Sequence, residues 1–293
     1  MNDRIWTIGR ILKWTEGYFA EKGLESPRLD AEVLLSHVLK KQRIYLYVHF
    51  DEPLQPEELA AYREMVKKRV MHVPVAYILG EREFMGLTFK VTPDTLIPRP
   101  DTEILVQAAI DRLKAMPASD DTALHIADIG TGTGAICLSV LHYLPQVTAE
   151  TVDISPAARA VAEENAEQLG LADRITFHTG DLLAPLAGRT FAAILSNPPY
   201  IPEADIGTLA PEVRTKEPHT ALSGGADGLD FYRRLAAEAP QMLAPNGFLA
   251  FEVGIHQARD VAALAKANPL IGRTEILPDY AGIDRVVVAW RKE

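Results

Sequence analysis

Asp128-Ile129-Gly130-Thr131-Gly132-Thr133-Gly134-Ala135 is the stretch on which the reading of this 293-residue chain turns. It closes the short apolar run 124–129 and opens a helical segment. Three alternating glycines allow a tight turn and a close approach of a ligand to the backbone. The helix that follows offers unpaired N–H groups at its start. Read as Gly130-x-Gly132-x-x-Ala135, the stretch passes for a dinucleotide fingerprint. Read as alternating glycines, it looks like an S-adenosylmethionine loop. These residues alone leave both readings open.

Outward from the loop, short apolar runs alternate with helical segments. Residues 124–129, 147–154, 174–178, 191–195, 247–253 and 284–290 read as strands. Ser155-Pro156 caps a helix that Gly170 ends. Such alternation predicts βαβ units, hence an α/β fold with a mostly parallel, doubly wound sheet. Residues 1–72 instead read as helical. Ser26-Pro27 supplies an N-cap and a first-turn proline. Leu29, Val33, Leu34 and Val38 recur at helical spacing. Pro56-Glu57-Glu58 opens a further helix whose end carries Lys67-Lys68-Arg69, both ends complementing the helix dipole. Residues 84–91 read as a hairpin, and 95–100 as extended because of Pro98 and Pro100. Asp101-Thr102-Glu103 opens a helix to about Met116. The expected division is a helical domain at 1–73, a linker with a β-hairpin at 74–100, and a catalytic domain at 101–293. Residues 201–228 show no period and are rich in Pro, Gly and Ser, which predicts a substrate-binding lid.

Composition sets outer bounds. Hydrophobic residues make up 47% and charged residues 24%, as in ordinary globular proteins. Cys137 is the single cysteine, so no intrachain disulfide can form, and its place inside the helix after the glycines predicts a buried apolar thiol. The N-terminal Met1-Asn2-Asp3-Arg4-Ile5-Trp6 lacks an apolar core and a cleavage site. No apolar stretch reaches bilayer-spanning length. A cytoplasmic enzyme is expected, away from membranes. Net charge is -10, and the first 72 residues are near neutral, with 12 Lys/Arg against 11 Asp/Glu. The remainder, with 18 against 29, would repel a phosphate backbone. The eight His are scattered without ligand spacing, so no metal site is expected, and His125 and His178 read as structural.

Three further strand ends carry polar groups. Asp153 lies roughly 20 residues after the glycines, where an acid accepts ribose hydroxyls. In Gly180-Asp181-Leu182, Asp181 is placed to accept from an adenine amino group and Leu182 to pack on the ring. Asn197-Pro198-Pro199-Tyr200 stops the strand at 191–195, because two prolines cannot continue a ladder. It leaves a side-chain amide, a free Pro carbonyl and an aromatic face at the sheet edge where α/β folds bind ligands. Two acceptors beside a flat ring suit a planar, NH₂-bearing substrate. Chemistry on an amide or amino nitrogen follows.

The glycine loop together with Asn197-Pro198-Pro199-Tyr200 resembles a class I S-adenosylmethionine-dependent N-methyltransferase. Leu96-Ile97-Pro98-Arg99-Pro100-Asp101-Thr102-Glu103 narrows the resemblance. So do Glu217-Pro218, Ala221-Leu222-Ser223-Gly224-Gly225 and Asp227-Gly228-Leu229. The whole set resembles the HemK/PrmC family, which methylates the glutamine side-chain nitrogen in the Gly-Gly-Gln motif of peptide chain release factors. The resemblance implies a Rossmann-like catalytic domain behind a small helical domain that recognises the release factor, with no stable nucleic-acid partner. It implies cofactor contacts at Asp128, Gly130, Thr131, Gly132, Thr133, Gly134, Asp153, Asp181, Leu182 and Asn197. Asn197, Pro198 and Tyr200 would be catalytic, and Asn197, Pro198, Pro199 and Tyr200 would bind substrate. Leu182 departs from members with an aromatic residue there. Arg99 and Glu252 are left without a role. Competing readings are methylation of an exocyclic base amine in DNA or RNA, a nicotinamide-dependent dehydrogenase, and an idle S-adenosylmethionine-binding module. The dehydrogenase does not explain Asn197-Pro198-Pro199-Tyr200, and base methylation requires the base to be flipped out.

Overall fold

The computed structural model describes residues 5–116 and 124–293. Of the stretch 1–6 read for a leader, residues 1–4 lie outside the described residues. In chain order come helices α1 (Ile8–Glu21), α2 (Pro27–Leu39), α3 (Arg43–Val48), α4 (Pro56–Val70) and α5 (Val75–Leu79). Strands β1 (Glu81–Phe84) and β2 (Leu87–Lys90) precede α6 (Thr102–Ala115), β3 (His125–Ile129) and α7 (Ala135–Tyr143). Next are β4 (Thr148–Asp153), α8 (Pro156–Gln168), β5 (Ile175–Thr179), β6 (Phe191–Ser196) and α9 (Pro211–Lys216). The chain closes with α10 (Asp230–Glu238), β7 (Leu243–Glu252), α11 (Ala258–Ala267), β8 (Ile271–Pro278) and β9 (Asp284–Arg291).

Two compact units result. The first is 1–80 with 210–216, and the second is 81–209 with 217–293. In the first, Ile11, Leu12, Phe19, Leu34, Leu35 and Tyr62 form an apolar core. Burying a polar group without a partner is unfavourable, and Tyr62 answers this by donating to the Ala31 carbonyl at 3.1 Å. Arg69 is also buried, between Asp30 at 2.7 Å and Glu212 of α9 at 2.6 Å. Ser26 stands at the start of α2 as expected, but its side chain makes no capping bond. Asp30 in the first turn and Pro27 at the first position support that helix end instead.

The second unit is built on a seven-stranded sheet of order β5-β4-β3-β6-β7-β9-β8. β5, β4, β3, β6 and β7 run parallel, while β9 is antiparallel to both β7 and β8. Alternate residues face opposite layers, as a period of two requires. Ala193 and Leu195 of β6 pack in the layer holding Leu105, Ile110, Leu138 and Leu141, whereas Ile194 packs in that of Leu235, Val261 and Ala265. The sheet is thus covered on both faces, which is why its central strands are apolar throughout.

Strand β8 was not foreseen. In Ile271-Gly272-Arg273-Thr274-Glu275-Ile276-Leu277-Pro278 the middle three residues, Arg273, Thr274 and Glu275, are polar or charged, and only Ile271 is buried. An edge strand needs no second apolar face, so its sequence signal is weak. Strand β7 also starts earlier than read, at Leu243, because a register shift lets Pro245, Asn246 and Gly247 interrupt the apolar pattern. Residues 201–228 are not a structureless lid. They hold short helical turns at 203–208 and 219–221 around α9, and Ile201 bridges Ser223.

Candidate active site

The strand order reverses at β3, since β4 and β5 extend the sheet one way and β6 and β7 the other, all five running parallel. Ligands in open α/β sheets bind at such a switch point, beyond the C-terminal strand ends. Here Ile129 pairs with Ser196, so the glycine loop after β3 and Asn197 after β6 leave the sheet side by side. A cavity of about 400 Å³ opens there. Its wall includes Gly130, Thr131, Gly132, Thr133, Asp153, Asp181, Leu182, Asn197, Pro198 and Pro199. Asp128, Gly134 and Tyr200, also singled out from sequence, lie outside that wall.

The loop's geometry explains its glycines. Gly130, Gly132 and Gly134 have φ of 80°, 55° and 79°, in the left-handed region. A Cβ on Gly132 would meet nothing within 4 Å, so it would project into open space at the cavity wall. A Cβ on Gly134 would instead stand 2.8 Å from Leu138 Cδ1. Gly132 thus leaves open space at the cavity wall, while Gly134 serves helix packing. Asp153 accepts the Gly132 N–H at 2.8 Å and the Ser155 N–H at 2.9 Å. A carboxylate has about four acceptor sites, which leaves room for ligand hydroxyls. Asp181 is engaged by Arg234, through contacts of 3.1 and 2.7 Å, and this pairing holds its carboxyl below the usual range. Leu182 sits at φ 47°, and both it and the Phe231 ring line the cavity.

Asp128 is fully buried beneath the loop, and both its oxygens lack hydrogen-bond partners among the described residues. Burial pushes its carboxyl up to about 7, against the pull of the neighbouring Cys137 thiol. Cys137 is buried as expected, and burial with the Asp128 charge pushes the thiol well up. His125 and His178 both contact Glu150, at 2.9 and 2.7 Å, in a cluster outside the cavity wall.

The turn at Asn197–Tyr200 is held from several sides. Ile201 N–H donates to the Leu222 carbonyl at 3.0 Å and Gly224 N–H to the Ile201 carbonyl at 2.9 Å. A Cβ on Gly224 would stand 2.7 Å from the Pro199 oxygen, and one on Gly228 2.2 Å from the Tyr200 oxygen. Gly224 and Gly228 therefore pack closely against the Pro199–Tyr200 backbone. Arg99 ion-pairs with the buried Glu217, which stands just before the cavity-wall residues Pro218–Ala221 and Ser223. Tyr200 is largely buried, and burial with the Glu252 charge pushes its phenol up to about 12.

The shared architecture extends to known proteins. Residues 10–80 match the family described as PrmC N-terminal domain, and 107–215 match methyltransferase small domain. A release factor glutamine methyltransferase of Geobacter sulfurreducens is 47% identical over 283 residues, 97% of this chain and 96% of that protein. One of Moorella thermoacetica is 47% identical over 274 residues, covering 94% and 95%. The chain belongs to the release factor glutamine methyltransferase family. A methyltransferase structure from Pyrococcus furiosus superposes with a TM-score of 0.51 at 16% identity, covering 71% of this chain and 90% of its own. That likeness shows the class I methyltransferase fold.

Sequence reading of this methyltransferase missed several contributors. Gln257 donates to the Tyr200 carbonyl at 2.9 Å and accepts the Gly254 N–H at 3.0 Å, tying α11 to the turn. Asn165 of α8 donates to Thr133 O at 2.9 Å and accepts from Lys90 N at 2.7 Å, bracing the glycine loop against β2. Thr102 lines the cavity and accepts from Asn197 Nδ2 at 3.3 Å. No sequence spacing announces these contacts, since each partner is at least 32 residues away save one. Among the described residues no cluster of three or more His, Cys, Asp or Glu side chains could hold a metal, and no helix is long and apolar enough to cross a membrane.

Proposed function

We infer that this methyltransferase moves a methyl group from S-adenosylmethionine to the side-chain amide nitrogen of the glutamine in the Gly-Gly-Gln motif of peptide chain release factors. The observation that carries the reading is near full-length identity of 47% to a release factor glutamine methyltransferase, joined to a cavity whose wall holds Asn197 and Pro198. The glycine loop fits S-adenosylmethionine, since Gly130 and Gly132 leave space that any larger residue would fill and Asp153 presents spare acceptor sites. The cofactor supplies an electrophilic methyl on a sulfonium. We assign Gly130, Thr131, Gly132, Thr133, Asp153, Asp181 and Leu182 to its binding.

A carboxamide nitrogen is a poor nucleophile because its lone pair is delocalised. Asn197 Oδ1 and the Pro198 carbonyl accept its two N–H groups, which turns the lone pair toward the methyl and places negative dipole where positive charge develops. Orientation of this kind is worth roughly 7–11 kcal/mol over a bimolecular encounter, so no base is required before transfer. Bound there, the cofactor would supply its sulfonium methyl with the neutral thioether as leaving group, and the methylated nitrogen would lose one proton to water. Tyr200, braced by Gln257 and Gly224, supports the turn that aims these acceptors. Release factor recognition falls to the helical residues 1–73, whose match to the PrmC N-terminal domain and exposed Ile44 and Val48 on α3 support the role. Residues 74–100 serve as the linker and 101–293 as the catalytic domain. The reaction's setting is the cytoplasm, where release factors work.

The test incubates the protein with methyl-labelled S-adenosylmethionine and intact release factor, with duplex DNA and ribosomal RNA as alternative acceptors. Label on the Gly-Gly-Gln glutamine, lost in Asn197→Ala, is expected. Label on nucleic acid instead would overturn the substrate while keeping the cofactor.

A further inference from the structure

Glu252 ends β7 one residue beyond Phe251, which pairs with Ser196. By that register Glu252 lies beside Asn197 at the same sheet edge. Its side chain does not line the cavity, whereas its neighbours Asn197 and Thr102 do. Only 2% of the residue is exposed, and Oε2 is fully buried with no hydrogen-bond partner among the described residues. Its main-chain carbonyl is fixed by the Tyr232 hydroxyl at 2.7 Å, so the strand end does not wander.

A buried acid with an unsatisfied oxygen is unfavourable, and an apolar residue would pack here without that penalty. The two ends of the Asn197 carboxamide are nearly the same shape, so its surroundings decide which end faces the cavity. Thr102 Oγ1 takes one Nδ2 hydrogen at 3.3 Å, a long bond that a hydroxyl, both donor and acceptor, does not make selective. An ionised carboxylate is acceptor-only and rejects an amide oxygen.

We propose that the Glu252 carboxylate is a positioning residue that holds the Asn197 NH₂ toward the protein interior, so that Oδ1 faces the acceptor nitrogen. The proposal rests on the role given to Asn197 above. Burial pushes the Glu252 carboxyl up to about 7 and Asp101 before α6 adds to that rise, while Thr102 by hydrogen bonding, Arg285 of β9 by charge and Asn197 by hydrogen bonding favour the ionised form that the positioning role requires. Arg285 is itself shared with Asp101 at 3.1 Å and Asp279 at 3.0 Å, which keeps it from capturing Glu252 outright. Tyr200 completes the surround. A Gln at 252 would carry its own NH₂ and could present either end to Asn197, so the selection would be lost.

The test compares the full-length protein with Glu252→Gln, Asn197→Ala and the double variant. Single-turnover kcat and KM are measured on intact release factor, and S-adenosylmethionine Kd by calorimetry. Glu252→Gln is expected to lower kcat ~10–100-fold with KM and Kd within about twofold, the pattern of an interaction needed in the transition state. In the Asn197→Ala background it should slow nothing further, because a group acting through Asn197 has nothing left to act on. A kcat within about twofold of the parent in Glu252→Gln, or a double variant slower by the full product of the singles, overturns the proposal and leaves the Asn197 reading standing. Full activity in Asn197→Ala overturns both. If Glu252→Gln does not fold, the pH dependence of kcat in the unmodified protein decides. An acidic loss of kcat without loss of cofactor affinity supports positioning by the carboxylate, and a flat profile overturns it.

Discussion

Gly132→Ala separates ligand space from structural space in the glycine loop. The new Cβ meets no protein atom within 4 Å, so the protein itself tolerates the volume. What remains is backbone strain, because φ is 55°, and a non-glycine residue there costs about 1–2 kcal/mol. At roughly 2–4 °C per kcal/mol the melting temperature should fall by roughly 2–8 °C. The methyl, however, occupies the cavity wall that the proposed function assigns to S-adenosylmethionine. Forcing a methyl into a close-packed contact costs about 1–3 kcal/mol, or ~5–150-fold in Kd. Gly134→Ala provides the contrast. Its Cβ would stand 2.8 Å from Leu138 Cδ1 and 3.3 Å from Ala162 Cβ at φ 79°, so strain and overpacking together remove about 2–5 kcal/mol of stability. Calorimetric titration with S-adenosylmethionine and thermal unfolding are run on both variants. The expected result is weak binding with modest destabilisation for Gly132→Ala and the opposite balance for Gly134→Ala. Parent-like cofactor affinity in Gly132→Ala would refute the placement of the cofactor against this loop.

Other perturbations follow from the same coordinates. Arg69→Met leaves Asp30, whose side chain is 11% exposed, without its partner and should destabilise the helical unit by about 3–5 kcal/mol in urea unfolding at neutral pH. The loss should shrink on acidification as Asp30 takes a proton, and a pH-independent deficit would contradict the ion-pair account. Asp128, raised by burial to about 7 from 3.8, keeps its proton in the folded state while the unfolded chain releases it. Stability should therefore fall as pH rises from about 4 to 7, and Asp128→Asn should flatten that slope; parallel urea midpoints for parent and variant would argue against it. Gln257→Leu removes the donor to the Tyr200 carbonyl and should lower kcat on release factor with little change in S-adenosylmethionine Kd, since Gln257 lies off the cavity wall. An equal loss of cofactor affinity would show that Gln257 supports the whole cavity rather than the turn.

Parts of the site that are continuous in the chain were legible before the structure. The glycine run, Asp153 and Asn197 each end an apolar strand, and strand ends on a parallel sheet must share one edge, so their meeting follows from alternation alone. The prolines of the turn declare themselves by lacking donors. What could not be read was which side chains stand behind the turn. The sequence leaves Glu252 and Arg99 without a role, yet Glu252 is buried and Arg99 reaches the buried Glu217 118 residues away. β8 escaped for the opposite reason, since an exposed edge strand needs little apolar content.

By itself the sequence determined the class of fold, the sheet edge on which the candidate site lies, and the chemistry that a carboxamide and two prolines offer, because those depend on local period and residue type. Only the tertiary structure decided which face of each functional group is presented. The orientation of Asn197, the bracing of Tyr200 by Gln257 and the split between Gly132 and Gly134 all depend on contacts between segments far apart in the chain. Close packing makes such contacts specific, and no local pattern encodes them.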